Sequence, residues 1–274
     1  MPTQKSETFR ALHHAPRAFI IPNPWDIGTA KLLAGMGFQA LATTSAGYAY
    51  TRGLSDYQVG RDQMLAHIKE LAAATDLPVS ADMESGYADT LDGIAETYRL
   101  TAQAGAVGAS IEDATGRADD PIFDLAEAVD RVTAAVEAVR ALPAPFTLTA
   151  RAENHLHGRS DLNDTIRRLQ AYQEAGADVL YAPGLRTREE IQAVVSSLDR
   201  PVNVLMGAPG LRLSVDELSE MGVKRISVGS ALSRAAFGAF LRAGREMAER
   251  GTFTFGEDAV SYADMARLLG PRPS

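Results

Sequence analysis

Acidic residues gather at the ends of short apolar runs in this chain. Asp82 and Glu84 stand where the run 78–83 finishes, Glu112 and Asp113 end the run 108–113, and Asp56 follows the run 40–45. Residues two apart on a strand point to the same side, so Asp82 and Glu84 share a face. Three or four carboxylates brought together repel one another unless a cation lies among them. An all-oxygen donor set, with no strand-end histidine, suits Mg²⁺ or Mn²⁺ better than Zn²⁺. Asp82, Glu84 and Glu112 are therefore the candidate metal ligands, with Asp56 as a fourth carboxylate. Arg151 ends the run 146–151 and offers a planar fork suited to a substrate carboxylate. Ser45, Ala46 and Gly47 read as a small-residue turn before a long loop, whose N–H groups can receive a carboxylate or an enolate oxygen. Trp25, beside Asp26, is a candidate pocket wall, and Asn203 lies on the run 201–206. His155 and His157 form an H-x-H pair without an evident third ligand. They read as exposed or packing residues, and His13, His14 and His67 as surface.

Such residues need elements to hold them. Eight apolar runs recur, at 18–22, 40–45, 78–83, 108–113, 146–151, 178–182, 201–206 and 225–229. They are uniformly apolar rather than alternating, as strands covered on both faces are. Between them lie helical patterns at about 27–36, 57–74, 90–104, 124–141, 161–175, 187–198, 214–221 and 231–249. Thr90, Asp161, Thr187 and Ser214 sit at N-cap positions. Gly35 and Gly37, Gly105, Gly176 and Gly222 stand at helix ends, where left-handed backbone is wanted. Eight βα units predict an α/β fold of the (β/α)8 TIM-barrel type, with a doubly wound sheet as the runner-up. In such a barrel the strand C-termini form the active-site face. The string from Gly35 to Ala40 matches G-x-G-x-x-A, but it closes a helix and opens a strand, the reverse of a dinucleotide site. A helical pattern returns around 260–269, after a break at 251–256. The expected organisation is one domain over 1–274, with the barrel at about 16–250 and an extension at 251–274.

Composition narrows the function. The 274 residues carry 27 Lys and Arg against 35 Asp and Glu, a net charge of −8, which argues against a nucleic-acid groove. The absence of cysteine removes disulfides, thiolate metal sites and any cysteine nucleophile or acid. No apolar stretch suggests a signal peptide or a membrane span, so a cytoplasmic protein without membrane or nucleic-acid partners is the expectation.

Taken in order, Asp-x-Glu-x-Gly-Tyr at 82–87, Ile-Glu-Asp at 111–113 and Ala-Arg-x-Glu at 150–153 resemble the isocitrate lyase/phosphoenolpyruvate mutase (phosphonomutase) superfamily. Thr-Thr-Ser-Ala-Gly at 43–47, followed by Gly53, Leu54, Ser55 and Asp56, fits as well, and the resemblance spans about 16–250. It implies an αβ-barrel enzyme, commonly a tetramer that swaps a C-terminal helix between subunits. Such enzymes bind Mg²⁺ and act on small 2-oxo or 2-hydroxy carboxylates through an enolpyruvate-like intermediate. Carried over residue by residue, Asp82, Glu84 and Glu112 form the metal region. Asp56 supports the metal waters or the substrate, Ser45 and Gly47 hold the substrate carboxylate and oxyanion, and Arg151 binds the same carboxylate.

The departures are informative. Isocitrate-type lyases carry a Lys-Lys/Arg-Cys-Gly-His motif on a gating loop; this chain reads Asp113-Ala114-Thr115-Gly116-Arg117-Ala118-Asp119-Asp120 there. The Lys and Asn of the phosphonomutases are missing from that loop too. Glu84 replaces the more usual Asp, and Pro183-Gly184 stands where the lyases have a Glu. The reading is a cysteine-lacking, Mg²⁺-dependent carbon–carbon lyase, oxaloacetate-decarboxylase-like or retro-aldol, acting as a homodimer or homotetramer on a small carboxylate. The alternatives are C–P chemistry of the phosphonomutase or phosphonopyruvate hydrolase type, and a non-catalytic carboxylate-binding protein. Tyr48, Glu153 and His157 are the candidate proton donors.

Overall fold

The computed structural model describes residues 2–270. Eight parallel strands are paired in the order β1-β8-β7-β6-β5-β4-β3-β2. They are β1 (Phe19–Ile21), β2 (Leu41–Ala42), β3 (Val79–Ala81), β4 (Gly108–Glu112), β5 (Thr147–Arg151), β6 (Val179–Tyr181), β7 (Val202–Leu205) and β8 (Arg225–Ser227). The open seam between β1 and β2 is bridged by the Ala42 N–H donating to Pro22 O at 3.1 Å. Asn23 tightens it: its Nδ2 donates to Thr43 O at 2.9 Å, and its Oδ1 accepts from the N–H groups of Val228 and Gly229. The fold is a (β/α)8 barrel, as the pattern of runs predicts.

Every expected strand is present, shortened at its ends. The outer layer comprises α2 (Ile27–Gly35), α4 (Arg61–Ala73), α5 (Leu91–Gln103), α6 (Leu125–Arg140), α7 (Leu162–Glu174), α8 (Arg188–Ser196), α9 (Val215–Glu220) and α10 (Ala231–Arg250). The side chains of Thr90, Asp161, Thr187 and Ser214 accept hydrogen bonds from backbone N–H groups of the first helical turns of α5, α7, α8 and α9. Gly37, Gly105, Gly176 and Gly222 all take positive φ, whereas Gly35 stays inside α2.

Two helices were not expected. The first, α1 (Pro2–Leu12), packs Phe9, which is fully buried, against Phe19, Ile21, Ala40 and Val107 at the N-terminal end of the barrel. A Cβ at Gly108 would lie 2.7 Å from the Phe9 ring and 2.8 Å from Thr147 O, so the helix can seat only over a glycine. His13 follows α1, its Nδ1–H donating to Phe9 O (2.8 Å), and is buried like His67. Both were expected at the surface; their imidazoles instead fill apolar space. The second, α3 (Ser45–Thr51), replaces the expected turn and long loop: Thr44 caps it by accepting from the Gly47 N–H.

Beyond β8 the pattern changes. Along α10 only Ser233 is buried, and Phe237, Phe240, Leu241 and Met247 are exposed. The chain then forms a 3₁₀ turn at Thr254–Asp258 and α11 (Tyr262–Leu269), which contacts α2. No described helix is long and apolar enough to cross a membrane.

Candidate active site at the strand C-termini

A cavity of about 170 Å³ opens among the strand ends. Asn23, Ser45, Ala46, Asp56, Tyr57, Asp82, Ser110, Glu112, Arg151 and Tyr181 are among the residues that line it, with Arg225 and Ser227 of β8 on the far side. Of the residues predicted from sequence, Asp56, Asp82, Glu112, Arg151, Ser45 and Ala46 meet here.

Arg151 is the hub. Its Nη1 donates to Asp82 Oδ1 at 2.9 Å, its Nε donates to Glu153 Oε1 at 2.7 Å, and its Nη2 lies 3.1 Å from Glu112 Oε2. The fork expected to be free for substrate is thus divided among three carboxylates from β3, β4 and the end of β5. The Arg151 guanidinium also lies 5.2 Å from the centroid of the Tyr181 ring. Glu153 is fully buried behind the arginine, and its N–H donates to Asp113 Oδ1 at 2.7 Å. Asp113 accepts in turn from Tyr172 (2.6 Å) and Arg168 (3.1 Å). It is a buried anchor for the Arg151–Glu153 segment, not part of the cavity wall.

The Ser45 N–H and hydroxyl both point to Asp82 Oδ2, at 3.0 and 2.9 Å, and the hydroxyl lies 3.2 Å from Asp56 Oδ1. Ser45 therefore links two acids. The Gly47 N–H is taken by Thr44, so the small-residue segment is the capped first turn of α3 rather than an open cradle. Burial and the neighbouring Asp82 push the Asp56 carboxyl up.

Glu84 does not share a strand face with Asp82. β3 ends at Ala81, and Glu84 adopts φ 46°, which breaks the alternation. Its side chain is buried, and Oε1 has no hydrogen-bond partner. Burial, with Asp82 and Asp56 nearby, raises its carboxyl to about 8. Among the described residues, only Tyr57, Glu84 and Tyr87 hold a positive φ without being glycine. All three belong to the loops that follow β2 and β3, where such backbone is held in place by its surroundings.

Tyr57 escaped the sequence reading. Its hydroxyl donates to Glu112 Oε1 at 2.6 Å, and its ring supports Gly116 of the loop after β4. Burial and the carboxylates of Glu112 and Glu153 push its phenol upward, so it stays protonated. Its one sequence signal is adjacency to Asp56. By contrast, Tyr48 stacks on His67 with ring centroids 3.9 Å apart, outside the cavity lining. Trp25 packs beside Gly47 and does not line the cavity, nor do His155 and His157. Asn203 lies behind the wall: its Oδ1 accepts from Arg225 Nε and its Nδ2 donates to Ser227 Oγ, both at 2.9 Å.

The donor chemistry fits a hard divalent cation. Asp82, Glu112 and Glu153 share a single guanidinium with Asp56 nearby, and Glu84 presents an oxygen with no partner. No three metal-binding side chains among the described residues form a ready cluster. One or two carboxylates, with water and substrate oxygens completing the shell, is the usual arrangement for Mg²⁺.

Comparisons with known proteins show what the chain as a whole is similar to. The phosphoenolpyruvate phosphomutase family model matches residues 9–248. An uncharacterized Mycobacterium tuberculosis protein is 32% identical over 96% of both chains. An oxaloacetate decarboxylase of Pseudomonas aeruginosa is 30% identical, covering 89% of this chain and 84% of its own. The crystal structure of a candidate lyase/mutase from Burkholderia cenocepacia superposes with a TM-score of 0.95 at 61% identity, over 98% of this chain and 97% of that one.

Proposed function

The chain belongs to the phosphoenolpyruvate phosphomutase family, within the isocitrate lyase/phosphoenolpyruvate mutase superfamily, and from that premise we propose that it is a Mg²⁺- or Mn²⁺-dependent carbon–carbon lyase. Its substrate is a small 2-oxo or 2-hydroxy carboxylic acid, and its reaction is decarboxylation of an oxaloacetate-like acid. The observation that carries this reading is the set of strand-end carboxylates arranged around Arg151 at a cavity of about 170 Å³. A cavity of that size has room for a small acid. The named activity of the Pseudomonas aeruginosa relative supports it.

Asp82 would hold the cation, with Glu84, Glu112 and Asp56 reaching it through its waters. Bound there, the cation would supply positive charge where a substrate oxygen becomes negative. Arg151 fixes Asp82 and Glu112 relative to each other and keeps a positive charge beside the substrate. Ser45 orients the outer oxygen of Asp82. Tyr57 is the protonated group on the cavity wall. Its one proton is held by Glu112 Oε1, so it would reach substrate carbon or an intervening water only when the hydroxyl turns away from Glu112, and the phenolate left behind would regain a proton from solvent.

The exposed apolar residues of α10 support a homodimer or homotetramer in which a second copy covers them. Light scattering on the eluted protein tests this, and a monomer at micromolar concentration would refute it. The function is tested by NMR with oxaloacetate and Mg²⁺. Appearance of pyruvate above the spontaneous rate, abolished by chelation and by Asp82→Ala, is the expected result. Metal-independent turnover, or none with any 2-oxo or 2-hydroxy acid, would overturn it.

A further inference from the structure

The cavity has two arginines, and only one of them has counter-ions. Arg225 begins β8 and points into the barrel; it is 5% exposed and lines the cavity. Its Nε is held by Asn203 Oδ1 at 2.9 Å, yet its Nη1 is buried with no hydrogen-bond partner. The side chains acting on it electrostatically are Tyr181 and Arg151, with no carboxylate among them. His13, below it at the barrel base, is held neutral, its pKa lowered to about 3 by burial and by Arg225 itself. Burial, with the Arg151 charge adding to it, lowers the pKa of this guanidinium to about 10.

A buried cation without an anion is destabilising unless a partner offsets its lost hydration. Nothing in the barrel does so. The polar neighbours around it are built to orient the arginine, not to neutralise it. Asn203 holds Nε and is itself fixed by Ser227. The acids, meanwhile, are all on the other wall, on the loops and strand ends from β2 to β5. The cavity is therefore polarised across its width: carboxylates suited to a cation on one side, an unmatched guanidinium on the other.

We propose that Arg225 is the receptor for a second carboxylate of the substrate, so that the site selects short dicarboxylates over monocarboxylates. The inference rests on the carboxylate-lyase reading above and adds the specificity determinant to it. One end of the substrate engages the acidic wall through the cation. The other reaches the Arg225 guanidinium where it lines the cavity, its Nε already anchored by Asn203. The fork geometry of arginine makes this a directional contact.

The test is calorimetry with Mg²⁺ and three probes: oxalate, L-malate and 2-hydroxybutyrate, which matches malate without its second carboxylate. Malate is expected to bind the wild-type protein at least tenfold more tightly than 2-hydroxybutyrate. Arg225→Gln should bring malate to the level of 2-hydroxybutyrate while altering 2-hydroxybutyrate itself less than about threefold. Arg225 has no ion pair to lose, so the variant is expected to fold. The wild-type comparison stands by itself if it does not. Equal wild-type affinity for malate and 2-hydroxybutyrate, with oxalate still bound, overturns the role of Arg225 and leaves the lyase reading intact. So does an Arg225→Gln variant that weakens both ligands alike. Failure of oxalate to bind at all overturns the lyase reading and this inference together.

Discussion

Arg151 and Arg225 stand in one register row of the barrel, joined through Tyr181 and Asn203 on the two strands between them. In-register neighbours of a parallel sheet point to the same side, so both guanidinium groups are directed inward. Their surroundings differ completely. Arg151 is met by Asp82, Glu112 and Glu153, whereas Arg225 is met by an amide. The same side chain thus does two jobs: one organises acids, and the other waits for one.

The first prediction follows from the sharing of Arg151. A lysine at this position keeps one positive charge but cannot reach three carboxylates at once. Hydrogen bonds to charged groups contribute roughly 1.5–3 kcal/mol each. Arg151→Lys should therefore weaken Mg²⁺-dependent oxalate binding by about tenfold or more and also lower the melting temperature, because Glu112 and Glu153 are left buried and less compensated. Calorimetry and thermal unfolding measure the two effects. An unchanged dissociation constant with a lowered melting temperature would make Arg151 purely structural.

Tyr57 gives the second. If its phenol supplies the proton, Tyr57→Phe removes the donor while leaving the ring that packs on Gly116. A placed general acid is typically worth about 10²–10⁴-fold. Water can reprotonate an enolate slowly, so a loss of about tenfold to a hundredfold in kcat with little change in KM is expected. Steady-state kinetics at saturating substrate decide it. Tyr48→Phe is the control and should behave as wild type, since Tyr48 stacks on His67 outside the cavity lining.

The contrast between these tyrosines shows where sequence reading stops. The strands were legible because each is a continuous apolar run covered on both faces. The caps were legible because Thr90, Asp161, Thr187 and Ser214 obey local hydrogen-bond rules. The placement of Asp82, Glu112 and Arg151 followed from strand ends, whereas Asp56 lies beyond α3, and the sequence marks it only as following the second run. Helix α3 was not legible, because Ser-Ala-Gly-Tyr-Ala-Tyr-Thr has no apolar stripe and contains a glycine. That helix turns Tyr48 away, and the left-handed backbone at Tyr57 turns Tyr57 in. Period-two reasoning failed at Glu84 for the same kind of reason: positive φ lies outside what residue spacing encodes. Arg225 was passed over because it opens its strand, while attention falls on strand ends.

His13 supplies a stability prediction. Its pKa in the folded protein is lowered to about 3 from an ordinary 6.5, chiefly by burial. The folded state thus prefers the neutral ring. The associated stability is fully present above pH 6.5 and is lost progressively as pH falls from there towards 3. The loss is on the order of 5 kcal/mol over that range. Replacing the ring by His13→Gln removes the titration. Urea unfolding at pH 7 and at pH 4.5 should show a smaller drop for the variant than for wild type. Equal drops would place the acid sensitivity elsewhere, among the carboxylates.

The last prediction is that the protein does not cleave isocitrate or methylisocitrate at a useful rate. Cleavage of those acids leaves a succinate-type carbanion, which needs an acid on a closing loop to protonate it at once. In the lyases that resemble this chain, the cysteine of the Lys-Lys/Arg-Cys-Gly-His motif is the residue given that task. Here the segment after β4 is a short stapled turn. Ala114 and Ile122 form an antiparallel bridge, the Thr115 N–H donates to Pro121 O at 2.9 Å, and Arg117 pairs with Asp120 at 2.8 Å. It carries no thiol, and none of its side chains lines the cavity. Decarboxylation has no such demand: CO₂ departs, and the remaining enolate can take its proton from Tyr57 or from water. A glyoxylate-coupled assay with both acids at saturating concentration in Mg²⁺ tests the argument. Turnover above about 1 s⁻¹, the low end for ordinary enzymes, would show that another residue, with Tyr57 the first to examine, has taken over the cysteine's role.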